Sequence, residues 1–213
     1  MTGVQTCALP IWWYNRTRQP GLILDDFTDP WLDRVRLRNA ELGRELWALD
    51  LTTDLGVPVV VALSAGDGLA SGPVLGFGAH FDPRVALRRA ATELCQQLGA
   101  QPNSSRASRL HDYLRPSRAA ATSPLTHPYE RCVDLREDVD RAVTLLRSAN
   151  LELLAIDQTR PDVGMPVAKV LVPGLRPIRA RFAPGRLYDV PVRLGRLSRP
   201  TCHRDLNPAP LSV

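Results

Sequence analysis

The sequence predicts an α+β protein, a mainly antiparallel sheet with helices on one face. Three observations carry this. Short apolar runs follow one another at 46–51, 57–63 and 73–77, the second of them rich in β-branched residues, and the first two are joined so tightly around Leu55-Gly56 that they should pair as an antiparallel hairpin. Apolar residues recur at roughly helical spacing over 29–46, 83–98 and 135–149. The order is strand, strand, strand, helix, then helix, strand, strand, without internal repeat, and it suits a sheet covered by segregated helices.

Each element has a local reason. Trp12-Trp-Tyr-Asn-Arg16 is a dense aromatic cluster before Pro20, the end of a buried helix or a corner of the core. Asp29 offers an N-cap to a helix with Trp31, Leu32, Val35, Leu42 and Leu46 on its apolar side. The third strand runs into Gly78-Ala-His-Phe-Asp82, where Asp82 caps a helix with Pro83 at its first position. That helix packs through Val85, Leu87, Ala90, Ala91, Leu94 and Leu98. Residues 101–128, rich in Ser, Arg, Pro and Ala, are expected to form a long mobile excursion. The helix over 135–149 is amphipathic through Val139, Ala142, Leu145 and Leu146. Two buried strands, 151–156 and 167–172, then bracket a loop punctuated by Pro and Gly. Beyond Pro173 no clear periodicity remains.

A chain of 213 residues can hold one domain with a proper core. No apolar run approaches the roughly 20 residues that span a bilayer. The net charge of +5 is almost entirely arginine, since Lys169 is the only lysine. The C-terminal basic stretch has only Phe182 and Tyr188 interleaved, too few aromatics for a single-strand nucleic-acid platform. Cys95, Cys132 and Cys202 contain no CxxC pair, so reduced thiols in a cytoplasmic protein are expected, with no nucleic-acid or membrane partner.

Residues 1–11, MTGVQTCALPI, carry neither charge nor period and resemble a translated sequencing adapter. They are expected to be unstructured, with Cys7 foreign to the native protein and the domain occupying 12–213 as the C-terminal part of a longer protein.

Chemistry concentrates in two places. The loop after residue 156 carries Asp157, Arg160 and Asp162, a fixed cation between two carboxylates, as suits a polyanion or metal site. The competing reading is an Arg160–Asp162 pair that pins the loop. On the helix capped by Asp82, Glu93 and Gln96 stand at i and i+3 on one face and can offer oxygens to Mg2+; a solvated helix face is the plainer alternative. Gly76 and Gly78 permit close backbone approach to a ligand, and His80 follows them, as a ligand contact or a structural histidine. The spacing is neither that of a P-loop nor of a dinucleotide fingerprint. No Ser/His/Asp or Cys/His signature is present.

Six phrases carry a family resemblance: Asp50-Leu-Thr-Thr-Asp-Leu-Gly-Val-Pro58, Gly76-Phe-Gly-Ala-His-Phe-Asp-Pro83, Ala86-Leu-Arg-Arg-Ala-Ala-Thr-Glu-Leu-Cys-Gln96, Asp157-Gln-Thr-Arg-Pro-Asp162, Ala183-Pro-Gly-Arg-Leu-Tyr-Asp-Val-Pro191 and Leu206-Asn-Pro-Ala-Pro210. In that order they resemble the C-terminal half of a YcaO domain, of the type found in thiazole/oxazole-modified microcin cyclodehydratases. The resemblance implies an ATP-dependent enzyme that forms azolines from Cys, Ser or Thr of a ribosomal precursor peptide by phosphorylating a backbone amide oxygen. It implies ATP and Mg2+ as cofactors, with Glu93, Gln96, Arg160 and His80 binding the nucleotide and Glu93 and Gln96 the metal. It implies a ThiF-like leader-peptide-binding partner, fused or separate, and is compatible with a homodimer. The family's proline-rich tail is matched by Pro208 and Pro210, but the chain ends Leu-Ser-Val without a third alternating proline, which leaves the role of Val213 open. The acidic helix expected to complete the magnesium site lies before Trp12 in the family, so the chain alone is expected to be inactive. Thioamide or macroamidine formation, and a non-catalytic scaffold that binds the precursor peptide, are the alternatives.

Overall fold

Strands β1 (Arg44–Asp50), β2 (Val59–Gly66) and β3 (Val74–Ala79) form an antiparallel sheet in the order β1-β2-β3. Trp47 pairs with Leu63, and Val61 with Phe77. The computed structural model describes residues 7–66, 72–100, 112–117, 129–130, 132–176 and 183–211. Strand alternation sends Val60 and Ala62 to one face of β2 and Val59, Val61, Leu63 and Ala65 to the other. Both faces are buried, so β2 is apolar nearly throughout.

On the first face lie α2 (Pro30–Glu41) and α3 (Pro83–Ala100), as expected. Asp29 caps α2 by accepting the Trp31 N–H at 2.9 Å, and Asp82 accepts the Arg84 N–H at 2.9 Å at the start of α3. α2 stops at Glu41, and Leu42-Gly43 turns the chain into β1, because Gly43 takes the left-handed conformation at φ 65°. Ala86, Leu87, Ala90, Ala91 and Leu94 of α3 press on Ala48, Val60, Ala62 and Val74. Over β3 the helix meets backbone. A Cβ at Gly76 would lie 2.2 Å from Ala90 O and Leu94 N, and one at Gly78 2.0 Å from Ala86 O. The close approach expected of these glycines toward a ligand is made instead by α3, which corrects that reading.

The second face is covered too. Helix α1 (Ala8–Asn15), the 3-10 turn Asp112–Leu114 and the segment reaching Leu211 pack there, so helical cover extends beyond the one face expected. Trp12 is fully buried and meets Trp13, Tyr113 and Phe77 edge-on, with ring centroids 5.8, 5.8 and 6.3 Å away. Burial of each such large side chain contributes about 1.5–3 kcal/mol. The indole N–H of Trp47 donates to Leu114 O at 2.8 Å, and that of Trp13 to Ala209 O at 2.7 Å, which satisfies the polar ends of these rings. Within the excursion expected over 101–128, residues 112–117 are therefore anchored; Arg115 also lies 4.3 Å over the Trp47 ring and pairs with Glu45. The remainder, 101–111 and 118–128, lies outside the described residues.

The structure overturns the expected lack of order over 7–11. Cys7 and Ile11 are fully buried against Val190, and Ala8 to Ile11 form the first half of α1. The physical reason is that Ala-Leu-Pro-Ile is apolar and puts its proline in the first helical turn, where a missing N–H costs nothing. Residues 1–6 lie outside the described residues.

The 14-residue helix α4 (Leu135–Ser148), capped by Asp134 through the Arg136 N–H, and the antiparallel hairpin of β4 (Leu154–Asp157) and β5 (Ala168–Leu171) complete the expected order. Neither hairpin strand is buried, contrary to expectation. Leu154, Ile156, Val170 and Leu171 are 42–51% exposed, and Leu135 and Met165 more so. Their apolar pattern requires cover that the described residues do not supply. Finally, α5 (Arg186–Arg193) appears where no periodicity was legible. It packs Val190 on Cys7 and Ile11, and Leu187 on Tyr14 and Leu206.

Candidate functional site

Among the described residues β3 pairs only with β2, which leaves its other edge without a strand partner there. Glu93 reaches that edge from α3: its Oε2 accepts the Phe77 N–H at 2.8 Å. A half-buried carboxylate thereby satisfies a strand donor that the sheet leaves unpaired. Among the described residues no hydrogen bond or ion pair engages its other oxygen. Gln96, one turn further along α3, is exposed. The two share a helix as the spacing predicts. No group of three or more His, Cys, Asp or Glu that could hold a metal occurs among the described residues. The donors present are hard oxygens, which fit Mg2+ in the manner usual for that ion: one or two protein oxygens, with phosphate and water completing the shell.

His80 stands at the end of the same strand, half-buried. Its Nδ1 accepts the Asp82 N–H at 2.9 Å, so the neutral ring carries its proton on Nε2. Burial lowers its pKa below the ordinary 6.5, and Arg89 pushes the same way against Asp82 and Asp138. Arg89 is held there by its own bond to Ala79 O at 3.1 Å. The His80 ring meets Tyr129 edge-on at 5.9 Å, the Tyr129 hydroxyl donates to Asp138 Oδ2 at 3.0 Å, and Arg141 lies over both Phe81 and Tyr129. This group ties α4 to the end of β3. Sequence reasoning missed it, because Tyr129, Asp138 and Arg141 are unremarkable except in space.

Arg160 lies elsewhere, in the turn between β4 and β5. Val163 N–H and Gly164 N–H both donate to Arg160 O, and Gly164 has φ 69°, which closes the turn. Asp157 accepts the Thr159 N–H at 2.8 Å, and bonds from Thr159 hold its carboxyl below the usual range. The Arg160 fork grips Asp162 through Nε at 3.0 Å and Nη2 at 2.5 Å, which depresses the Asp162 pKa. The loop-pinning pair is present, and both side chains are more than 60% exposed. No hydrogen bond or ion pair among the described residues joins Arg160 to Glu93, Gln96 or His80. Pro208 and Pro210 are exposed on either side of Ala209, whose carbonyl accepts from Trp13; Val213 lies outside the described residues.

A second charged cluster also escaped the sequence reading. Asp54 accepts from Arg186 and Arg193, each at 2.5 Å, while Arg196 donates to Thr52 O at 2.6 Å. Asp54 and Arg186 both fall within quoted motif phrases, and that was the only signal of their pairing.

The family profile described as YcaO cyclodehydratase, ATP- and Mg2+-binding, matches residues 5–176. The chain belongs to the YcaO family. A solved heterocyclase in complex with substrate and cofactor is 39% identical, with a TM-score of 0.90 over 98% of this chain and 30% of its own. The heterocyclase TruD is 37% identical, with a TM-score of 0.92 over 99% of this chain and 31% of its own. An uncharacterised protein of Methanothermobacter thermautotrophicus is 33% identical over 62% of this chain and 39% of its own length. The chain therefore spans about a third of the relatives it matches. No helix among the described residues is long and apolar enough to cross a membrane.

Proposed function

We propose that this chain is the C-terminal part of an ATP-dependent cyclodehydratase that forms azoline rings from Cys, Ser or Thr of a ribosomal precursor peptide. The observation that carries the reading is the match to two heterocyclases at 37–39% identity over nearly the whole chain, together with a family described as ATP- and Mg2+-binding. Bound with Mg2+, ATP would supply the phosphoryl group that makes a backbone amide oxygen able to leave.

The side chains have defined tasks in this scheme. Glu93 fixes its own rotamer by holding the Phe77 N–H through one oxygen, which leaves the other for a hard cation. Gln96 adds a neutral oxygen one turn away. His80, neutral at physiological pH, presents an Nε2–H donor to an anionic or carbonyl oxygen. Arg160 exchanges its Asp162 partner for a phosphate, a swap made cheap by the exposure of that pair. Catalysis of this kind rests on positioning and charge neutralisation, and it needs no protein nucleophile.

The test uses the intact parent protein with its precursor peptide. Loss of one water per ring, dependent on ATP, is the expected product signature. An intact parent that consumes ATP but returns the peptide unchanged, or altered without loss of water, would refute azoline formation.

A further inference from the structure

Helix α4 buries none of its residues, yet it meets the end of β3 through two side chains one turn apart, Asp138 and Arg141. Asp138 Oδ2 accepts the Tyr129 hydroxyl at 3.0 Å. Its Oδ1 is buried with no hydrogen-bond partner among the described residues, so the carboxylate is satisfied through Tyr129. Arg141 lies 5.5 Å over the Tyr129 ring and 5.7 Å over the ring of Phe81, the neighbour of His80.

What this arrangement confines is the His80 ring. The bond from Asp82 N–H to Nδ1 needs the ring in one plane, and χ2 of a histidine is a soft torsion. Tyr129 packs against the ring and opposes that rotation: the two rings meet at 73° with centroids 5.9 Å apart. A half-turn of the imidazole would put a carbon where Nδ1 stands and give up the Asp82 bond. Charge reaches the ring from both sides of it. Arg89 acts from α3, Asp82 from the ring's own turn and Asp138 from α4, the two carboxylates opposing the guanidinium.

We propose that Asp138 and Tyr129 are positioning residues for His80: the carboxylate on α4 holds the tyrosine, and the tyrosine ring keeps the imidazole in the orientation in which Asp82 fixes Nδ1 and Nε2 carries the proton. α4 bears none of the four residues assigned to the nucleotide, so this pair acts on the site only through His80. The effect on the reaction rests on the reading of His80 as a nucleotide contact; the effect on the ring does not.

Two measurements test it. In the 213-residue chain, the imidazole nitrogens of His80, assigned by their absence in His80→Gln, are followed by NMR across pH. The wild type is expected to show one neutral tautomer, protonated at Nε2. Tyr129→Leu and Asp138→Ala should both mix the two tautomers. Asp138→Asn keeps an acceptor oxygen for Tyr129, and should restore the single tautomer while lowering the His80 pKa, since a charge that favours the imidazolium is gone. In the intact parent, Tyr129→Leu should slow ATP-dependent water loss from the peptide by about ten- to a hundredfold, as misplacement of a contacting group does. It should have no further effect in a His80→Gln background. Full activity of His80→Gln would remove His80 from the nucleotide reading, and the tautomer measurement then decides the positioning alone. A single tautomer in both Tyr129→Leu and Asp138→Ala, or rate losses of Tyr129→Leu and His80→Gln that multiply in full, overturns the proposal.

Discussion

Glu93 accepts the Phe77 amide at 2.8 Å at the edge of β3 away from β2, so one carboxylate is at once a strand cap and the leading candidate for a metal ligand. The two roles separate by substitution. Glu93→Ala removes the acceptor and should cost about 2 kcal/mol in urea unfolding, the usual penalty for losing a charged partner of a backbone donor. Glu93→Gln keeps an acceptor oxygen and most of that stability. In the intact parent both should cut ATP-dependent water loss from the peptide roughly a hundredfold. Full activity in Glu93→Gln would leave only the strand-capping role.

Arg160 should behave in the opposite way. Its pair with Asp162 is exposed, so Arg160→Ala should leave the unfolding midpoint unchanged while lowering activity of the intact parent by about a hundredfold. Arg160→Lys should not restore the rate, because an ammonium cannot reproduce a two-pronged contact. Near-wild-type rates in both variants would reduce Arg160 to a loop pin.

Gly76→Ala and Gly78→Ala should both destabilise the chain, by about 1–3 kcal/mol or more, because the added carbon has to displace the backbone of α3. Thermal unfolding monitored by circular dichroism checks this. The effect should exceed that of Gly99→Ala, since a Cβ at Gly99 would meet nothing within 4 Å.

His80 predicts a pH dependence of stability. Its pKa is lowered in the folded chain, chiefly by burial, so the unfolded chain binds more protons around and below 6.5. The contribution of His80 is therefore in place above the ordinary value of 6.5 and is lost as pH falls through the lower folded value. Unfolding midpoints measured across this window should fall with acidification in the wild type and fall less in His80→Gln. Parallel curves would refute the assignment.

Hydrogen exchange should divide the molecule. Amides of β4 and β5, whose strands are exposed throughout, should exchange orders of magnitude faster than those of β2, which lies between two cores. Equal protection would mean that the hairpin acquires cover in solution.

The parts of this fold that were legible in the sequence are those decided within a few residues. Asp29 with Pro30 and Asp82 with Pro83 announce helix starts, and the β-branched apolar run through Val59 to Leu63 announces a strand. Glu93 and Gln96 were legible as a pair because helix geometry alone puts them together. α5 was hidden by Pro191 and its flanking arginines, although Leu187 and Val190 stand at i and i+3. What Gly76 and Gly78 admit could not be read locally, since glycine declares closeness without naming the neighbour. Asp54 and Arg186 lie 132 positions apart, and no local pattern encodes such a meeting. The exposure of Leu154 and Ile156 was illegible for a related reason: a strand's apolar composition records a need for cover, not its source.

The bond from Trp13 to Ala209 joins positions 196 residues apart and, with Asn207 N–H donating to Tyr14 O, straps the later segment across α1. This has a consequence for biosynthesis. During translation Trp13 emerges 196 residues before Ala209, and the tryptophans of α1 wait through that interval with their lid still unmade. Throughout that interval a cluster of indole rings is open to chaperones and to neighbouring nascent chains. Truncation before Ala209 would therefore leave a product that holds its sheet but remains adhesive at α1.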